Sequence, residues 1–137
     1  MIHLPIGLLI GNAILTLIYG RWRDSGVEVA AYHCLWLGFV AILPAVAAGI
    51  WDAVVHLNGP RPHPEALLWI NAHALSGLVL ALVYWQAWQI RRRNPHVLEQ
   101  PGIRHGYRVR LVLGILLLVL SGWSGGHMAY VLRIGGA

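Results

Sequence analysis

The sequence predicts an all-α integral membrane protein: one four-helix bundle with both termini on the periplasmic side. Three observations carry this. Of 137 residues, 58% are hydrophobic and only 11% charged, whereas a soluble domain carries about a quarter charged residues, so the charge cannot cover a water-facing surface this small. The mean hydropathy is +0.62. Of four apolar stretches, three meet the ~20 residues that a helix needs to cross hydrocarbon and the first is at the short limit.

The first stretch runs from about Leu4 to Tyr19 and the second from about Val29 to Ile50. The third covers about Ala66 to Ile90 and the fourth about Leu111 to Leu132. The first has no basic segment before it and no small-residue cleavage site after it, so it reads as a retained span and not as a signal peptide. Arg21-Trp22-Arg23-Asp24-Ser25-Gly26 separates the first two spans. Pro44 lies inside the second and predicts a kink, which membrane helices tolerate where neighbours satisfy the freed carbonyl. Prolines at 60, 62 and 64 preclude a continuous helix between the second and third spans. Asn94-Pro95 and Pro101-Gly102 interrupt the basic stretch between the third and fourth.

All ten cations are arginines, and the net charge is +5. The calculated pI of 10.2 raises nucleic-acid binding, but the distribution argues for topology instead. Arg91, Arg92, Arg93, Arg104, Arg108 and Arg110 fall between two apolar runs, as in a cytoplasmic membrane loop. With Arg21 and Arg23 after the first span, this orients the first and third loops toward the cytoplasm of a bacterial inner membrane. Trp51, Trp69 and Trp123 then fall near the outer interface and Trp22, Trp85 and Trp88 near the inner one, as aromatic belts do. The single cysteine, Cys34, excludes an internal disulfide and a CxxC motif. There is no P-loop, no GxGxxG and no nucleophile–base spacing, which favours an accessory or electron-transfer subunit over a stand-alone enzyme.

In this orientation the ionisable groups converge. His3 opens the first span at the outer edge; Asp52 and His56, four residues apart and so on one helical face, close the second. His73 lies about two turns into the third, and His127 lies one to two turns below the outer end of the fourth. Ionisable groups at membrane depth normally face a bundle interior or a cavity, so these five residues are the candidate ligand set. Each also has an ordinary structural reading: His3 as an interfacial residue, His56 and His63 as loop, and Asp52 as a group that only orients an imidazole ring. His33 and His105 offer an alternative, inner site. Ser76, Gly77, Ser124, Gly125 and Gly126 surround the deep histidines, and small residues permit either close helix approach or a flat ligand.

The motifs Ile2-His3-Leu4-Pro5-Ile6, Gly49-Ile50-Trp51-Asp52, His73 and Gly122-Trp123-Ser124-Gly125-Gly126-His127-Met128-Ala129-Tyr130 resemble those of a bacterial family of four-span membrane proteins catalogued as a domain of unknown function. The resemblance covers essentially the whole chain. It implies the four-span fold and a polar set at His3, Asp52, His73 and position 127. This chain departs from the family in carrying His127 where a glutamate is usual.

Three functions follow as expectations. The first is electron transfer with b-type haem, ligated by His73 and His127 with His3 or His56 as substitutes; imidazole at position 127 suits haem iron better than carboxylate. The second is a transition-metal site (Fe, Cu or Zn) built from His3, Asp52, His56, His73 and His127. The third is a structural subunit of a larger membrane complex. The expected partners are the lipid bilayer, a redox protein or membrane complex and, as a further case, a second copy of the chain.

Overall fold

The computed structural model describes residues 3–58 and 64–132, apart from the side chains of residues 56, 57 and 64. Four helices follow in order: α1 (His3–Trp22), α2 (Ser25–Leu57), α3 (Pro64–Arg93) and α4 (Pro101–Tyr130). No strand occurs among the described residues. All four helices are long and apolar enough to cross a membrane. Leu17, Leu68 and Val119 are each about two-thirds exposed or more. Lipid covers such side chains in a protein whose helices are apolar all round.

Two hairpins, α1–α2 and α3–α4, make the closest packing. The first turns in two residues. Arg23 adopts φ 56°, the left-handed conformation that usually ends a helix on glycine. Asp24 then caps α2, its Oδ1 accepting from the Val27 amide at 3.1 Å. The second turn spans residues 94–100 and buries Val97 and Leu98 beneath the bundle. Pro101 stands at the start of α4, where its missing N–H costs nothing.

The basic stretch is therefore not the loop that the sequence predicted. Arg91, Arg92 and Arg93 form the last turn of α3, and Arg104, Arg108 and Arg110 lie inside α4. The connection between them contains no arginine. At Pro44, α2 continues without interruption.

Leu9, Leu35, Ile42, Leu80, Tyr84, Leu111 and Leu118 form the core. Two glycines set the hairpin spacing: a Cβ on Gly38 would lie 2.7 Å from Leu9 Cδ2, and one on Gly114 would lie 2.7 Å from Tyr84 Cζ. This core occupies the end that carries the arginines and the middle of the bundle. At the opposite, histidine-bearing end, nearly every residue of α2 from Ala47 to Val55 is exposed. Helix length accounts for the asymmetry. The 20 residues of α1 rise about 30 Å and the 30 of α3 about 45 Å, at 1.5 Å per residue. The far turns of α2, α3 and α4 thus extend past the first residue of α1.

Candidate functional site

His73 is half-buried, and its Nδ1 lies 3.0 Å from Ser124 Oγ. Ser124, nearly fully buried, donates its hydroxyl proton to the Ser121 carbonyl at 3.0 Å. A hydroxyl has one proton to give, so Ser124 can only accept from His73. That assigns the proton to Nδ1 and leaves a lone pair on Nε2. Gly125 permits the contact, because a Cβ there would lie 3.1 Å from His73 Cε1.

His127 occupies the next level of the same α3–α4 seam. Its ring centroid lies 4.3 Å from that of Trp69 and 6.0 Å from that of Trp123, and the two indoles meet edge-on at 5.4 Å. The structure therefore brings His73 and His127 to adjacent levels. His3 and Asp52 are exposed, and neither makes a hydrogen bond or ion pair among the described residues. Helix rise alone nevertheless places His3, 19 residues from the end of α1, near the level of His73, 20 residues from the end of α3. The side chain of His56, and His63 entirely, lie outside the described residues.

At the arginine end the structure assembles a polar cluster that the sequence reading missed. Arg91 Nη2 lies 3.0 Å from Glu28 Oε1 and donates to the Glu28 carbonyl at 3.2 Å. Arg91 is only 4% exposed, and its guanidinium sits 5.9 Å above the Tyr107 ring, which is itself buried. Asn12 Nδ2 donates to the Ala31 carbonyl at 2.8 Å, and the Tyr19 hydroxyl donates to Glu99 at 2.9 Å. Arg110 Nε donates to Gln86 at 3.0 Å. Ligand atoms of Glu28, His96 and Glu99 all lie within 4.8 Å of one another. Beside them is a cavity of about 300 Å³ lined by residues that include Glu28, Tyr32, Arg91, Arg92 and His96. Of the alternative inner pair His33 and His105, His33 bonds the Val29 carbonyl of its own helix through Nδ1 at 2.8 Å.

One sequence signal could have found this cluster. Asn12, Thr16 and Tyr19 recur at i, i+4 and i+7 on the otherwise apolar α1, the spacing of one buried helical face.

Four apolar helices, with buried polar groups closing one end and imidazoles at the other, define a small multi-span membrane protein. The family model described as "Predicted membrane protein (DUF2231)" matches residues 1–137, and the chain belongs to that family. No curated protein and no solved structure matches it.

Proposed function

We propose that this protein is a small electron-transfer subunit holding b-type haem at the histidine end of the bundle, in a bacterial cytoplasmic membrane with the arginine end toward the cytoplasm. The observation that carries the proposal is the state of His73. Its Nδ1–H is engaged by Ser124, and an imidazole oriented in this way offers Nε2 as a ligand, the usual arrangement at iron. A second imidazole to hold the haem would come best from the other hairpin. His127 stands on the helix already packed against His73, and Gly125 leaves no gap there for a flat macrocycle. His3 shares the level of His73, and the turns of α2 just beyond it, from Ala47 to Val55, are mostly exposed. Trp69, Trp123 and His127 form an aromatic wall above, and Asp52, further out on α2, would hold a proton. Held there, haem would supply a one-electron centre whose potential follows the type of its ligands and its burial. A redox protein is the partner this chemistry requires, and the exposed Trp51 and Ile50 at the end of α2 face the side on which it docks.

Haem content of the protein purified in mild detergent tests the ligand assignment. His73→Ala and His3→Ala should each lose most of the bound haem, while His96→Ala and His127→Ala should keep it. Full occupancy in His73→Ala contradicts the proposal.

A second reading is favoured by the proximity of Glu28, His96 and Glu99. One imidazole with two carboxylates suits a divalent transition ion, and the Tyr19 hydroxyl on Glu99 would hold that carboxylate in place for it. Arg91 opposes a cation here, because it already neutralises Glu28. On this reading metal analysis gives a stoichiometric ion that His96→Ala removes and His73→Ala retains; an ion content unchanged in His96→Ala contradicts it.

A further inference from the structure

We infer that the groove between α1 and α4 binds an anionic glycerophospholipid, with the phosphate on Arg108 and one acyl chain between the helices. The groove is open along its length and has a volume of about 590 Å³, and its walls are Ile10, Ala13, Ile14 and Leu17 from α1 with Leu111 and Ile115 among others from α4. Every lining residue is apolar except Thr16 and Arg108. The cavity exists because α1 and α4 make the sparsest contact of the four adjoining helix pairs.

Position and charge select the occupant. Arg108 closes the groove at the arginine end, with its Nη2 3.6 Å from where a Cβ on Gly20 would stand. It makes no ion pair among the described residues, whereas Arg91 pairs with Glu28 and Arg110 bonds Gln86. A free guanidinium at the mouth of an apolar slot at membrane depth matches a phosphate, which it can grip through two N–H donors. From Arg108 to Leu116 the groove climbs eight residues of α4, about 12 Å. One leaflet of a ~30 Å hydrocarbon core is about 15 Å deep, so the groove covers most of the length of one acyl chain. Anionic lipids are enriched in the leaflet that basic segments face, the leaflet to which the arginine count assigns this end.

Native mass spectrometry of the delipidated full chain, titrated with phosphatidylglycerol or phosphatidylcholine, tests this. One phosphatidylglycerol should bind about ten-fold tighter than phosphatidylcholine. Arg108→Gln, which changes an exposed side chain and keeps the groove, should abolish that preference. Ala13→Phe, which fills the slot, should weaken both lipids. Equal binding of the two lipids by the unaltered protein, an unchanged preference in Arg108→Gln, or a tightly held neutral quinone in place of phospholipid would each overturn the inference.

Discussion

Arg91→Ala should lower the unfolding free energy in detergent by about 3 kcal/mol, the scale seen when one member of a buried ion pair is removed. The guanidinium spans the two hairpins. It meets the Glu28 carboxylate at 3.0 Å and the Glu28 carbonyl at 3.2 Å, and it covers the Tyr107 ring. Its loss leaves a carboxylate that is 12% exposed without a counter-charge, next to an emptied volume. The double variant Glu28→Leu/Arg91→Leu is the control. It removes both charges and keeps apolar volume, so it should recover most of the loss, because replacing a whole buried pair by apolar groups is often neutral. Circular dichroism during a denaturant titration reads both. A single variant within 0.5 kcal/mol (on the order of surface substitutions) would mean that the pair does not hold the hairpins together.

Gly114→Ala should cost about 2–3 kcal/mol, the usual penalty for overfilling a close-packed interior. The added methyl would lie 2.7 Å from Tyr84 Cζ and 2.9 Å from its Cε2 and hydroxyl oxygen. Tyr84 is fully buried, so its rigid ring has nowhere to withdraw and α3 must move from α4. Gly114→Ala/Tyr84→Leu should restore part of the loss by vacating the ring's volume. A Cβ added to Gly122, on the same helix, would meet nothing within 4 Å, and Gly122→Ala should leave the thermal midpoint within a degree or two of the parent. Equal effects at the two glycines would contradict the seam.

The fold was legible because the bilayer imposes a length and a composition on each span, and a run such as Val29–Ile50 satisfies both. Helix ends were less legible. Arg91–Arg93 and Arg104–Arg110 look like a loop because charge does not enter hydrocarbon, yet a helix continues through the interface, where its side chains reach water or, for Arg91, turn inward to Glu28. At the histidine end, the order of spans placed His73 and His127 toward one side of the bundle, and the two do occupy one seam. Spacing could not show that Ser124 fixes the His73 proton, since that depends on α3–α4 register. Nor could it show that Asp52 projects beyond the packed core, which follows from the unequal helix lengths. The Glu28–Arg91 pair joins residues 63 apart, and no local pattern announces a contact made only when two hairpins meet.

The visible absorption of the protein purified from membranes, recorded oxidised and after dithionite, bears most directly on the proposed role. A Soret band that shifts on reduction, with a sharpened α band, is the result expected of two imidazoles on one haem iron. A colourless preparation whose spectrum does not respond to reductant, from cells supplied with haem, would contradict it and leave the chain as a lipid-embedded scaffold.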